Sequence, residues 1–80
     1  MNKSIFTETC GWYGVVALVG AYALVSFGFL TSQSATFQVL NMTGAVGIVI
    51  DAYAQKNWQP VVLNVIWAII GLLAIIKIVL

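Results

Sequence analysis

The sequence predicts an all-α integral membrane protein whose three transmembrane helices form a small bundle. Of its 80 residues, 62% are hydrophobic and 6% are charged, and the mean hydropathy is +1.08. A soluble domain of this composition would lack a polar surface. Two short polar segments divide the chain into three apolar runs, each close to the roughly 20 residues that a bilayer core requires. We therefore expect one domain, residues 1–80, surrounded by the lipid bilayer.

The polar segments place the three helices at about residues 12–30, 37–53 and 60–80. The first segment, Thr31–Thr36, is short and uncharged. A connection this short makes the two helices that it joins antiparallel. Pro60 follows the second segment and suits the first turn of a new helix, where a backbone N–H is not needed. The middle run is thus expected to return across the membrane, and the third to cross it again.

Small residues indicate where these helices pack. In helix 1 they recur every seven residues, and helix 2 contains a glycine cluster. Helix backbones approach closely in membranes where side chains are small, so both sets predict packing faces. The predicted packing residues are Gly14, Ala21, Gly28, Gly44 and Gly47. On another face of helix 1, Tyr22 and Ser26 predict an interhelical hydrogen bond, with cavity lining as the alternative.

Polar residues of helix 2 indicate a face that is turned away from lipid. At 100° per residue, Gln38, Asn41 and Asp51 fall within an arc of about 140°. An aspartate costs about 2.5–3.5 kcal/mol at the centre of a membrane helix, so this face is expected to meet protein or water. Asp51 is most simply a solvated interface carboxylate near Lys56, and a proton or cation site is the alternative.

Helix 3 contains an amide and an aromatic residue deep in its apolar run. Asn64 and Trp67 lie about 60° apart on one helical face. Together with Asn41, they are the predicted substrate-binding residues. A hydrogen bond between Asn41 and Asn64 explains the two amides equally well, and such bonds average about 0.6 kcal/mol in membranes. Trp67 has packing against a neighbouring helix as its simpler interpretation.

The composition argues against catalysis, metals and nucleic acid. The chain has no His and one Cys, which excludes a Cys/His metal site and a histidine-based catalytic triad. Its single Asp and single Glu do not form a convergent constellation with that Cys. The net charge is +1 with no basic run, which gives no sign of a nucleic-acid partner. We expect no enzyme activity, no catalytic residue, no metal and no cofactor.

Three helices are few for enclosing a site, so a protein partner is expected. A second copy of the chain is the natural partner, and a larger membrane complex is the alternative. The lysines predict the orientation. Lys3 and Lys56 fall on one side of the membrane and Lys77 on the other, which favours a cytoplasmic N-terminus.

Four short motifs support a resemblance to a known family: Gly11-Trp12-x-Gly14, Ala21-Tyr22, Asn41-x-x-Gly44-Ala45-x-Gly47 and Leu63-Asn64-x-x-Trp67. Across Gly11–Trp67 the chain resembles a family of small three-helix bacterial inner-membrane proteins whose function is unknown. The resemblance implies a multi-pass protein of the bacterial inner membrane and brings no substrate or catalytic residue with it.

A more distant resemblance is to the semi-SWEET sugar transporters. These also have three spans in a short chain, and they work as parallel homodimers. An Asn and a Trp of their last helix contact the substrate, and the resemblance implies that role for Asn64 and Trp67. The Pro-Gln dipeptide of their first helix is absent from helix 1. The resemblance therefore does not imply a hinge at that position.

Two hypotheses about function remain. In the first, a homo-oligomer passes a small polar solute across the membrane through a cleft lined by Asn41, Asn64 and Trp67. In the second, the chain is an accessory or scaffold subunit of a larger membrane complex, with lateral association through its glycine faces. The first predicts a hydrated centre. The second predicts a dry interior in which the two asparagines bond to each other.

Overall fold

The computed structural model describes residues 4–80, and these form three helices with no β-strand. The helices are α1 (Ile5–Ser26), α2 (Ala35–Ala54) and α3 (Trp58–Val79). Each of them is long and apolar enough to cross a membrane. The prediction of an all-α protein with three membrane-spanning helices is thereby confirmed. Lys3, on which the predicted orientation depends, lies outside the described residues.

A serine cap determines where α1 begins. The Ser4 hydroxyl accepts a hydrogen bond from the Thr7 backbone N–H at 3.1 Å, which satisfies one of the free donors of the first turn. The helix therefore begins at Ile5, well before the start of the apolar run at Trp12. Hydropathy locates the part of a helix that lies in lipid, whereas the cap determines the end of the helix itself.

A glycine in the left-handed region ends α1. Gly28 has φ +86°, its N–H donates to the Val25 carbonyl at 3.1 Å, and the Phe29 N–H donates to the Leu24 carbonyl at 2.8 Å. This pair of bonds is a Schellman motif, for which glycine is the preferred residue. Gly28 is therefore not a packing residue, because it lies beyond Ser26 and a Cβ added to it would meet nothing within 4 Å.

The end of α2 has the same hydrogen bonds but a different residue in the left-handed position. The Asn57 N–H donates to the Ala52 carbonyl at 2.9 Å, and the Lys56 N–H donates to the Tyr53 carbonyl at 3.0 Å. Lys56 has φ +56°. A non-glycine residue in this region costs roughly 1–2 kcal/mol. The turn into α3 is thus sharp, and it places Lys56 in an exposed, strained position.

The central element is α2, which packs against both of the other helices. No Cα atoms of α1 and α3 approach within 8 Å of each other across the described residues. The α1 and α3 helices therefore both pack on α2 without packing on each other. The longest dimension of the molecule is 40 Å, somewhat more than the roughly 30 Å of a bilayer core.

Glycines bring the backbones of α1 and α2 into close contact. A Cβ added at Gly14 would overlap the Gly44 carbonyl oxygen, and a Cβ added at Gly47 would overlap the Cys10 carbonyl oxygen. Ala21 is buried on the same side of α1, at 1% exposure. The structure thus places four of the five predicted packing residues at or beside this interface, and only Gly28 lies elsewhere.

The interhelical hydrogen bond of this pair is not the one that the sequence suggests. Thr43 donates its hydroxyl to the Val39 carbonyl at 2.8 Å, so the Tyr13 hydroxyl is the donor in its 2.7 Å bond to the Thr43 hydroxyl oxygen. Tyr22, by contrast, is 73% exposed. The hydrogen bond between α1 and α2 therefore involves Tyr13 and Thr43, which no sequence pattern had indicated.

Candidate functional site: the groove between α1 and α3

A groove runs between α1 and α3 because both helices pack on α2 without meeting. Its floor is the face of α2 that carries Asn41, Ile48 and Ala52, residues spaced at helical intervals. The groove widens at two places. We call these the Asn41 end, with a volume of ≈ 300 Å³, and the Asp51 end, with a volume of ≈ 290 Å³.

The Asn41 end brings together two of the three predicted substrate-binding residues. Asn41 of α2 and Trp67 of α3 both line it, and Tyr22 lies opposite them on α1. Asn41 is half-buried, whereas Trp67 is 45% exposed at the rim. An amide, a phenol and an indole therefore face one space, which offers several hydrogen-bond donors and a flat apolar surface.

Asn64, the third predicted residue, lies between the two ends and lines neither of them. It is 5% exposed, and its side-chain amide donates to the Pro60 carbonyl of its own helix at 2.9 Å. Pro60 lines the Asp51 end and Trp67 the Asn41 end, so the position of Asn64 is midway along the groove. Ala45 of α2 is 0% exposed at the corresponding level. The middle of the groove is thus narrow and filled.

The Asp51 end contains the carboxylate of α2 next to α1. A Cβ added at Gly11 would lie 2.7 Å from Cγ of Asp51 and 2.8 Å from its Cβ, so only glycine admits the side chain there. One carboxylate oxygen, Oδ1, is shielded from solvent. Asp51 is therefore half-buried against α1 and lines the cavity, while Lys56, beyond it in the sequence, is exposed.

Two further amide side chains lie at the Asp51 end. Gln55 donates to the Asp51 backbone carbonyl at 3.4 Å, and Asn57 precedes α3. Trp12 completes the rim on α1. No three His, Cys, Asp or Glu side chains within residues 4–80 lie close enough together to hold a metal ion. The chemistry available here is hydrogen bonding and the charge of one carboxylate.

Sequence reasoning found the polar residues of the groove but missed the residues that shape it. Gly11 and Asp51 are distant in sequence, so no local pattern links them. Gly71 of α3 is a similar case, since a Cβ added there would lie 3.1 Å from Met42 Cβ. The seven-residue spacing of Asn64 and Gly71, the two buried residues of α3, is the signal that could have identified that face.

One family model matches the chain across residues 7–80, and that family has no established function. The chain belongs to this family. No curated protein and no solved structure matches the chain significantly. The family membership agrees with the expected small membrane family of unknown function, and none of these findings shows the resemblance to semi-SWEET transporters.

Proposed function

We propose that this membrane protein is a homo-oligomer that passes a small polar solute along the groove, with the grooves of two copies facing each other. The observation that supports the proposal is the distribution of polar side chains. They line both ends of the groove, whereas the outward helix faces expose large apolar residues such as Val16, Val19 and Ile69. Outward apolar residues suit contact with lipid, and inward polar residues suit contact with a solute or water.

In this proposal, a second copy of the chain covers the groove. The groove of a single chain is open along its side, so its polar groups would face acyl chains in a bilayer. Two copies related by a twofold axis would cover each other's grooves and bring two sets of Asn41 and Trp67 together. The pair would then form a path that one chain lacks room to enclose.

The roles of the predicted residues differ within this proposal. Asn41 and Trp67 contact the solute at one end of the path, and Asp51 with its neighbouring amides contacts it at the other. Asn64 lies at the narrow middle, where its amide already has a partner in the Pro60 carbonyl. Asn64 therefore forms part of the barrier that the narrow middle presents to the solute, and it is not a primary ligand of the solute. No catalytic residue is proposed.

The proposed location is the bacterial inner membrane, with the N-terminus in the cytoplasm. The positive-inside preference supports this orientation, because Lys3 precedes α1 in the sequence and Lys56 follows α2 on the side where α1 begins, whereas Lys77 is the one lysine expected on the opposite side. A reporter enzyme fused after Leu80 tests it, since the proposal puts that end outside the cytoplasm. A cytoplasmic reporter signal would contradict the orientation without affecting the proposed path.

Labelling of single cysteines with a charged, membrane-impermeant thiol reagent tests whether the groove is hydrated. In a Cys10→Ser background, Asn41→Cys and Trp67→Cys are compared in membranes with Ile69→Cys. Ile69 is the matched control because it is 52% exposed, close to the 45% of Trp67, but lies outside the groove. The proposal expects labelling at both groove positions and none at Ile69. Equal labelling at all three positions, or none, would contradict it.

Native mass spectrometry of the purified chain in nanodiscs tests the second copy. A discrete dimer, or a higher assembly of dimers, is the expected result. A monomer at all concentrations would contradict the proposal, because one open groove cannot conduct a solute. Together, the two measurements separate a failure of hydration from a failure of assembly.

An accessory or scaffold subunit is the second candidate, and one feature favours it. The backbones of α1 and α2 are in close contact, and Asn64 is satisfied within its own helix, so the isolated chain needs no solute to complete its bonding. In that case the groove accommodates a transmembrane helix of another protein. A monomer with an unlabelled groove is the result that this candidate predicts.

A further inference from the structure

A cavity outside the groove lies at the end of the molecule opposite Asp51. It is between the connection that joins α1 to α2 and the last turns of α3, and its volume is ≈ 290 Å³. Its lining residues are Ser32, Gln33, Gln38, Ala74, Lys77 and Ile78. The hypothesis of a solute path gives this cavity no role, although Gln38 also borders the Asn41 end.

Hydrogen bonds hold the polar wall of this cavity in place. The Gln38 side-chain amide donates to the Ser32 carbonyl at 2.8 Å, which fixes the connection against α2. The Ser34 hydroxyl accepts from the Phe37 N–H at 3.1 Å, and the Ser34 N–H donates to the Thr31 carbonyl at 3.1 Å. Ser32 and Gln33 therefore border the cavity from a fixed connection, and a ligand that binds there does not have to order it.

The charge at this end of the molecule is positive. Lys77, in the last turn of α3, is the charged side chain at this end of the molecule. The two acidic residues of the sequence are Glu8, in the first turn of α1, and Asp51, near the end of α2, and both lie at the other end. No carboxylate side chain of the protein is therefore available to neutralise Lys77.

The position of the cavity selects a lipid among the possible anions. Lys77 is near the end of a membrane-spanning helix, at the depth where lysine ammonium groups reach the head-group region. Ala74 and Ile78 form an apolar wall of the cavity on α3. A ligand with an anionic phosphate and acyl chains matches both the polar and the apolar wall.

We propose that this cavity binds the phosphate of an anionic phospholipid, through the Lys77 ammonium group and the polar groups of Ser32 and Gln33, with an acyl chain along Ala74 and Ile78. A free phosphate compound would share the head-group chemistry but would leave the apolar wall uncovered. The ligand class is thus an anionic phospholipid, and a soluble phosphate is the competitor that the experiment must distinguish.

Native mass spectrometry of the full chain in detergent micelles, titrated with phosphatidylglycerol, measures this binding. Phosphatidylcholine with the same acyl chains is the zwitterionic comparison. Lys77→Gln is expected to weaken phosphatidylglycerol binding about fivefold, the effect of one lysine near an anionic lipid. Lys77→Arg is expected to retain it. The matched control is Lys56→Gln, which removes the same charge from an exposed residue at the other end of the molecule and is expected to have no effect.

Three results would overturn the proposal. The first is an equal loss of binding in Lys77→Gln and Lys56→Gln, which would show only nonspecific attraction to positive charge. The second is equal binding of phosphatidylcholine and phosphatidylglycerol. The third is full displacement of the lipid by glycerol 3-phosphate at an equal concentration, because that result would assign the cavity to a soluble phosphate. All the substitutions are at exposed positions, so the folded chain remains available for each test.

Discussion

Gly14→Ala is expected to destabilise the α1–α2 pair, whereas Gly20→Ala in the same helix is not. The methyl group added at Gly14 would overlap the Gly44 carbonyl oxygen and lie 2.6 Å from Cγ1 of Ile48. A backbone atom cannot rotate aside, so the two helices must move apart. A methyl group added at Gly20 meets nothing within 4 Å. Steric conflict is therefore present in one variant and absent in the other.

The difference between the two variants isolates the cost of that conflict. Replacing a helical glycine by alanine stabilises the helix by roughly 0.5–1 kcal/mol, and this gain is common to both. Overpacking a close interface costs about 1–3 kcal/mol. Gly14→Ala should therefore have a free energy of unfolding about 1–3 kcal/mol lower than that of Gly20→Ala. Gly71→Ala should fall between them, because its nearest neighbour, Met42 Cβ at 3.1 Å, has to shift by only a few tenths of an ångström.

Reversible unfolding in mixed micelles, with sodium dodecyl sulfate as the denaturant, measures these differences through helical ellipticity. The three variants are compared with the unsubstituted chain under one lipid and detergent composition. If Gly14→Ala were as stable as Gly20→Ala, α1 and α2 would not be in the close contact described above. An effect of Gly71→Ala larger than that of Gly14→Ala would also refute the reasoning, because it would make the α2–α3 interface the closer one.

The same unfolding assay tests two other features, and thiol labelling tests a third. Lys56→Gly is expected to stabilise the chain by about 0.5–1 kcal/mol, because glycine removes the strain of a left-handed φ; a loss of stability would contradict the turn. Tyr13→Phe is expected to cost about 0.6 kcal/mol through its bond to Thr43, and Tyr22→Phe nothing. Asn64→Cys is expected to react more slowly than the groove cysteines, because Asn64 is 5% exposed; equally fast reaction would contradict a narrow, filled middle of the groove.

The number and type of the helices could be predicted from the sequence, but their ends could not. Hydropathy registers the free energy of transfer into lipid, which is a property of each apolar run as a whole. Helix ends depend on single hydrogen bonds, such as the cap by Ser4, and on single backbone angles, such as φ of Gly28. A hydropathy pattern contains neither. The predicted first helix is consequently displaced toward the C-terminus at both ends.

The polar face of α2 was also predictable, since Asn41 and Asp51 both line the groove. The residues of the neighbouring helices that contact this face could not be predicted. The packing of Asp51 against Gly11 depends on how far α1 is shifted along α2, and that shift follows from which glycines meet. The same shift aligns Tyr13 with Thr43. The shift of one helix along another leaves no periodic signal in a single sequence, although the glycines and polar residues that determine the shift can be identified there.

If copies of the chain associate as proposed, the lipid environment favours association through the groove over association through the apolar faces. Apolar side chains such as Val19 and Ile69 are as well solvated by acyl chains as by protein, so no hydrophobic effect brings their faces together. Polar groups are different, because hydrocarbon cannot bond to them. Asn41 and Gln55 lie in an open groove, where lipid would cover them poorly. The gain from contact with another polar surface is therefore concentrated on that side, and the exposed Trp67 at its rim adds a rigid surface for packing.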